Sequence, residues 1–127
     1  MTLLQGKLRP QIRFAIRQPV SPQFAPGSVH IAHFSAINPT TKAWDYRIEV
    51  TGWPWGASPA SWPSVHLEPG QRSPLDCALT MPSAAGSYPF KLHAWADGED
   101  LGETTLATVR VAFPVAPAIE FGAVTWD

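Results

Sequence analysis

Apolar and polar residues alternate in short stretches along most of this chain, which is the pattern of half-buried β-strands. The clearest stretch is "AWDYRIEVTGW", where Trp44, Tyr46 and Ile48 fall on one face and charged residues on the other. Further stretches are "SVHIAHFSAIN", "SVHLEPGQRSPLDCALTMP", "GSYPFKLHAWA" and "TTLATVRVAF". Turn residues separate these stretches about every 8 to 12 residues, so the sequence predicts an all-β, antiparallel β-sandwich of about seven strands.

Both ends of the chain continue the alternation outside this central block. The first segment has an apolar face and a basic face, and Pro10 within it indicates an edge position because proline cannot donate to a sheet. We predict an extended N-terminal arm and connector at residues 1–26, the sandwich at 27–113, and a C-terminal tail strand at 114–127. The apolar face of the arm contains Leu8, Ile12, Phe14 and Ile16, and the basic face contains Arg9, Arg13 and Arg17.

These end segments have two possible uses. They can complete the protein's own sheets, or they can add to the sheet edge of a neighbouring protein, because an unpaired alternating strand is a ready donor. In the second case, the arginines of the arm would pair with acidic groups on that neighbour.

Several short motifs of the central block resemble a known family. Gly27 and Ser28 precede the first core strand, "NPT" follows it from Asn38, and "YRIEVTGWP", "LEPGQRSPL" and "MPSAAGSYPFKLHA" come next. In this order, from about residue 25 to residue 113, they resemble the bacterial Ig-like sandwiches of the cell-adhesion-related (CARDB-like) and alpha-galactosidase-associated type. The resemblance implies an Ig-like fold, a turn at Asn38, a hairpin tip at residues 69–71, a core strand at residues 86–88, and a non-catalytic accessory role.

Composition sets limits on the chemistry and the partners. The 127 residues are enough for one domain, and 45% hydrophobic residues exclude a disordered chain. The net charge of −1 argues against nucleic acid or an anionic membrane as the main partner. No secretory signal or membrane span of roughly 20 apolar residues is visible, so we expect cytoplasmic synthesis, with a virion or another protein assembly as a destination.

No catalytic, cofactor or metal motif is recognisable. His30 and His33 are three residues apart on a strand and would point to opposite faces, and the single cysteine, Cys77, lies among alternating apolar residues where a buried thiol is expected. The acidic stretch "DGEDLGE" lacks EF-hand spacing and is typical of a solvated hairpin tip. We therefore expect no cofactor, no metal and no enzymatic activity.

The tryptophans are the strongest candidates for an interaction site. Trp44 is in phase with the core, whereas Trp53 and Trp95 are in phase with polar residues, and Trp55 and Trp62 lie in the loop "WPWGASPASW". Exposed tryptophans can anchor a protein interface or stack on sugar rings, and the alternative is that the loop shields them by folding over one end of the sandwich.

Two functions are compatible with these features. The first is a non-catalytic structural or accessory module that binds a larger protein assembly, or itself, through its arms and tryptophan loop, for example as a capsid decoration or virion accessory protein. The alternative is a carbohydrate-binding or cell-adhesion module that uses exposed tryptophans.

Overall fold

The computed structural model describes residues 9–17 and 23–113. All regular structure in these residues is β, and the strands form two four-stranded antiparallel sheets with the orders β1-β2-β6-β4 and β5-β3-β7-β8. The strands are β1 (Arg13–Ile16), β2 (Val29–Ile37), β3 (Trp44–Thr51), β4 (Ala57–Ser58), β5 (Ser61–Leu67), β6 (Arg72–Thr80), β7 (Gly86–Ala96) and β8 (Glu99–Val111). The predicted all-β, Ig-like sandwich is confirmed, with eight strands rather than about seven.

The alternation seen in the sequence places the apolar faces between the two sheets. In β3, Trp44, Tyr46 and Ile48 are buried, as predicted. From the other sheet, β6 adds its own alternate apolar side chains, among them Cys77, which is fully buried. Burying one large apolar side chain stabilises a fold by about 1.5–3 kcal/mol, so the facing strands hold the sheets together mainly through these contacts.

The turn at residues 69–71 differs from the expected hairpin tip. β5 pairs with β3 and β6 pairs with β2, so the turn carries the chain from one sheet to the other. It is tied to the β2 end of the sandwich, because the amide of Gly70 donates to the Asn38 carbonyl (2.9 Å) and the amide of Asn38 donates to the Gln71 carbonyl (3.0 Å). Asn38 itself lies in the β2–β3 connection, as the resemblance implied.

Only the first two residues of the acidic stretch, Asp97 and Gly98, form the tip of the β7–β8 hairpin, and the remaining residues from Glu99 belong to β8. Asp97 and Gly98 connect the strands with φ angles of 53° and 74°. Two consecutive residues of positive φ match the right-handed twist of a hairpin, which explains why an Asp-Gly pair is found there.

The N-terminal segment belongs partly to both sheets. β1 is an edge strand, as Pro10 suggested, and it pairs with residues 34–37 of β2. Further along, Phe24 forms a parallel bridge with Val111 of β8. The hydroxyl of Tyr46 donates to the Gln11 carbonyl (2.7 Å), which ties the segment to the core. Of the two uses considered for the arm, the structure shows Arg13–Ile16 completing the protein's own sheet; the predicted tail strand at 114–127 lies outside the described residues.

Candidate interaction surfaces

Trp53 is buried, with only 6% of its surface exposed, although it is in phase with polar residues in the sequence; of the two alternatives left open for this ring, the structure shows the shielded one. β3 ends at Thr51, and Gly52 follows with a φ of 70°. This backbone conformation turns the chain inward and breaks the period of two on which the prediction depended. The indole N–H of Trp53 donates to the Thr80 carbonyl (3.0 Å), so the polar group of the buried ring has a hydrogen-bond partner.

Trp55 is the exposed member of an aromatic cluster near the start of β7. Its ring meets the edge of Trp53 at a centroid distance of 5.0 Å and the ring of Tyr88 at 4.9 Å, with interplanar angles of 82° and 73°. Trp55 is 38% exposed. The rings of Trp53 and Trp55 are nearly perpendicular and form no flat platform.

Trp62 lies in β5 rather than in a loop. It is half-buried and packs edge-on against Phe34 of the facing sheet, with a centroid distance of 5.6 Å. It therefore fills the core rather than accompanying Trp55.

Trp95 is on the polar face of β7, as predicted, and the side chains of Arg47 and His93 cover its ring. The guanidinium of Arg47 lies 3.9 Å from the ring centroid, and the His93 ring stacks nearly parallel at 4.0 Å. His93 also contacts Asp100 through Nε2 (2.6 Å). The indole is thus held in a stack of side chains from this same chain.

The arginines of the arm find acidic partners within the chain. Arg9 pairs with Glu99 (3.2 Å), and Arg17 pairs with Asp76, which also contacts His33. The Nε of Arg17 donates to the Phe34 carbonyl (3.1 Å). Arg13 is exposed. The acidic groups that were expected on a neighbouring protein are, for two of the three arginines, supplied by the protein itself.

Among the described residues, an apolar cleft lies between β2 and β8. Its volume is about 410 Å³. Val29 and Ile31 of β2 stand at this cleft with 61% and 57% of their surfaces exposed. The side chains that line it are Ile16, Phe24, Val29, His30, Ile31, Ala32, His33, Leu79, Met81, Phe90, Leu106, Ala107 and Val109.

The sequence analysis did not find this cleft. The sequence signal that could have revealed the cleft is a pair of β-branched residues, Val29 and Ile31, at alternate positions of β2. They lie on the strand face where the other strands carry polar residues.

Along residues 29–32, one edge of β2 has no partner strand among the described residues. β1 covers β2 only over residues 34–37, and the last bond is that from the Arg17 amide to the His33 carbonyl (2.9 Å). Because backbone groups point to the same side at every second residue, the N–H and C=O groups of Ile31 and Val29 face this edge too. Within residues 9–17 and 23–113, no strand pairs with residues 29–32 on that side.

The opposite wall of the cleft is a protected edge. The pairing of β7 with β8 shifts register twice, which leaves Leu101 and Leu106 as extra residues in β8. Such bulges twist an edge strand and hinder pairing with another strand. Phe24 occupies the last part of the edge, with its amide bonded to the Arg110 carbonyl and its carbonyl to the Ala112 amide. Among the described residues, the start of β2 is therefore the edge with more unpaired backbone groups.

Two titratable side chains of the core, Cys77 and Tyr46, have raised pKa values. Burial raises the pKa of the Cys77 thiol to about 11 and that of the Tyr46 hydroxyl to about 12, so both stay protonated near neutral pH. No three His, Cys, Asp or Glu side chains in the described ranges are placed to hold a metal ion. In the same ranges, no helix has the length and hydrophobicity needed to cross a membrane.

Comparison with known proteins identifies the class of fold. No family model and no curated protein matches this chain. Solved structures with the same architecture are Ig-like sandwiches of the PapD-like and CARDB types. The resemblance to CARDB-like sandwiches inferred from the sequence is therefore confirmed at the level of the fold.

Two of these structures cover nearly the whole chain. The ASH / PapD-like domain 7 of human CEP192 is 13% identical, with a TM-score of 0.52, over 91% of this chain and 96% of that one. The CARDB domain of a Pyrococcus furiosus protein, solved in complex with di-metal ions, is 17% identical, with a TM-score of 0.51, over 83% of this chain and 96% of that one.

Proposed function

We propose that this chain is a non-catalytic protein-interaction module whose cleft between β2 and β8 takes up an extended segment of a protein partner. The observation that carries the proposal is the cleft of about 410 Å³ beside the part of the β2 edge that no described strand pairs. An added strand would bond to the backbone groups of Val29 and Ile31 and place alternate apolar side chains in the cleft. Main-chain bonds of this kind give affinity, and side-chain pockets give specificity.

The exposed residues support an interface at this place. Ile16, Val29 and Ile31 are three of the large hydrophobic side chains that the fold leaves exposed, and all three line the cleft. Clustered exposed apolar residues indicate an interaction site, whereas single ones are common on any protein. The likeness to a CARDB domain, a type related to cell adhesion, supports a non-catalytic accessory role.

The module would serve in a larger protein assembly as an accessory subunit. In the most specific form of this proposal, the chain is a capsid decoration or virion accessory protein. That form predicts that the chain sediments together with intact particles. The carbohydrate-binding alternative gains no support from the described tryptophans, because Trp53 and Trp55 are nearly perpendicular and Trp95 is covered by Arg47 and His93.

Peptide selection tests the proposal directly. A displayed library of random nine-residue peptides is selected on the full chain, and the enriched peptides are measured against Ile31→Pro and Ile31→Thr. Proline removes an N–H that no described strand uses and that an added strand would use, while threonine keeps it and keeps β-branching.

We expect peptides with alternating apolar residues that bind Ile31→Pro at least about tenfold more weakly, a loss of about 1.4 kcal/mol or more, and that bind Ile31→Thr nearly as well as the parent chain. Thermal melting shows whether each variant is folded. If Ile31→Pro does not fold, Val29→Pro replaces it in the binding measurement. Enriched peptides that bind both proline variants unchanged, or a library that yields no binder, would contradict the proposal.

A further inference from the structure

The outer face of the sheet that contains β1, β2 and β6 has three rows of side chains. Residues that pair across an antiparallel sheet point to the same face, and neighbours along a strand point to opposite faces. Phe34 of β2 is buried opposite Leu75 of β6, so the residues next to them in each strand face outward. The outward rows are Arg13, Ile37 and Arg72; Ala15, Ser35 and Pro74; and Arg17, His33 and Asp76. Among these residues, three arginines thus stand against one carboxylate.

Arg13 and Arg72 are the arginines of this face that have no acidic partner among the described residues. The third arginine and the histidine share the carboxylate of Asp76, two rows away. Arg13 and Arg72 are both exposed, and they lie in one row on either side of Ile37. Neighbouring strands are about 4.8 Å apart, so the two Cα atoms are about 10 Å from each other. Both guanidinium groups can therefore reach one ligand above Ile37.

Two neighbouring guanidinium groups without a partner favour an anionic ligand. Their like charges repel each other, whereas an anion between them is attracted by both. The planar guanidinium donates two parallel N–H groups, which match the two oxygens of a carboxylate. The adjacent row has short side chains, among them Ala15 and Pro74, so a ligand can lie along the sheet. We infer that Arg13 and Arg72 form a binding site for an acidic segment of a protein partner, a site that shares no residue with the lining of the cleft.

A protein segment fits this site better than a nucleic acid. The row of Arg13 and Arg72 has no aromatic side chain on which a base could stack. Asp76 on the same face would repel phosphates, and two free arginines neutralise few of them. Ile37, half-buried between the arginines, offers an apolar contact to a peptide side chain. An acidic peptide with an apolar residue next to its carboxylates therefore suits the site.

The acids on the outer face of the other sheet are not free to serve as this segment in a second copy. Their partners within the chain are His66 for Asp45, Arg47 for Glu49, His93 for Asp100 and Lys91 for Glu103. Asp97, in the β7–β8 turn, has no ion pair among the described residues, but it presents a single carboxylate where the site has two arginines. A different protein is therefore the source that these contacts favour.

NMR titration tests the inference, because it detects such a site even where binding is weak. The ¹⁵N-labelled full chain is titrated with a nine-residue peptide that has Glu-Val-Glu at its centre, and separately with the same peptide carrying Gln-Val-Gln. The variant under test is Arg13→Gln with Arg72→Gln. Its matched control is Arg110→Gln, because Arg110 is an exposed arginine of β8 that also has no ion pair among the described residues.

We expect the acidic peptide to shift the amide signals of residues 13–15, 35–37 and 72–74 in a saturable way at low salt, and the glutamine peptide to produce no saturable shift. The dissociation constant should rise at least about tenfold in the double glutamine variant and change by less than about twofold in Arg110→Gln. Arg13→Lys with Arg72→Lys keeps both charges but loses the paired N–H groups, so its binding should be intermediate. The same spectra show whether each variant is folded, and single variants replace a double variant that is not.

Three results would overturn the inference. The first is no saturable shift with the acidic peptide, or equal binding by the double glutamine variant. The second is a DNA duplex that shifts the same signals at a lower concentration than the acidic peptide, which would make phosphates the ligand. The third is self-association of the chain that is lost both in the double glutamine variant and in Asp97→Asn, which would make a second copy the source. Because the site shares no residue with the lining of the cleft, each of these results leaves the proposed function standing.

Discussion

At the scale of single residues, two equally buried polar side chains, one in β2 and one in the turn that follows it, contribute oppositely to the stability of the fold. The amide of Asn38 donates to the carbonyls of Lys42 (2.8 Å) and Leu67 (3.0 Å), and its oxygen accepts from the backbone and hydroxyl of Thr40. Ser35, which is 1% exposed, has a hydroxyl with no partner among the described residues. Burial of a polar group is costly unless its hydrogen bonds are made, so Asn38 stabilises the fold and Ser35 does not.

Alanine substitutions should show this contrast. Asn38→Ala removes a donor from the buried Leu67 carbonyl and one of the two side-chain donors of the Lys42 carbonyl, and we expect a loss of about 2–4 kcal/mol in the free energy of unfolding. Ser35→Ala removes an unsatisfied hydroxyl at the same depth, so it should be neutral or stabilising by up to about 1 kcal/mol. Urea unfolding of both variants provides the measurement. A Ser35→Ala protein as unstable as Asn38→Ala would show that the hydroxyl is bonded.

At the scale of elements, strands with uninterrupted alternation were predictable and the junctions between them were not. In β3 and β6 every second residue is apolar, so both strands and their buried faces could be predicted. The turn at Gly52 depends on a positive φ, and the assignment of β5 and β6 to different sheets depends on pairing partners distant in sequence. Trp53 and Trp62 were therefore misplaced, although the stretches around them were recognised. The cleft results from where β1 stops covering β2, a boundary that no local pattern marks.

The β3–β5 pair has a cross-strand contact that should depend on pH. His66 lies directly opposite Asp45, which it contacts through Nδ1, and it contacts Glu68 through Nε2, each at 2.7 Å. The bonds to Glu68 and Asp45 raise the pKa of His66 above 6.5. A raised pKa means that the imidazolium stabilises the folded state fully below about pH 6.5, and that this contribution is lost as the pH rises through the pKa of the folded protein.

The difference in the free energy of unfolding between the parent protein and His66→Gln should therefore be largest at pH 5.5 and shrink towards pH 8.5. NMR titration should give a His66 pKa above 6.5. Removing both carboxylates, in Asp45→Asn with Glu68→Gln, should lower that pKa. A difference that stays constant from pH 5.5 to 8.5 would show that the contacts contribute nothing to folding.

At the scale of the whole molecule, the core couples the two sheets into one unit despite the cleft. Phe34 of one sheet packs edge-on against Phe90 (5.9 Å) and Trp62 (5.6 Å) of the other, and Trp53 reaches across to the Thr80 carbonyl. Phe90 also lines the cleft and Thr80 pairs with Val29, so these contacts hold the sheets together beside the cleft itself. A segment could therefore enter the cleft without separation of the sheets, and the module would be rigid before it binds.

Thiol labelling measures this coupling, because Cys77 lies within the core on β6. Its sulfur is near the Pro59 carbonyl (3.3 Å), and burial raises its pKa to about 11, so neither access nor ionisation allows reaction in the folded state. We expect labelling with Ellman's reagent only as fast as the protein unfolds globally, with a urea dependence equal to that of full unfolding. Ser87→Cys, at an exposed position of β7, provides the reactive control and should label within seconds. Rapid labelling of Cys77 without denaturant would mean that the sheet containing β6 opens alone, in which case filling the cleft should slow the reaction.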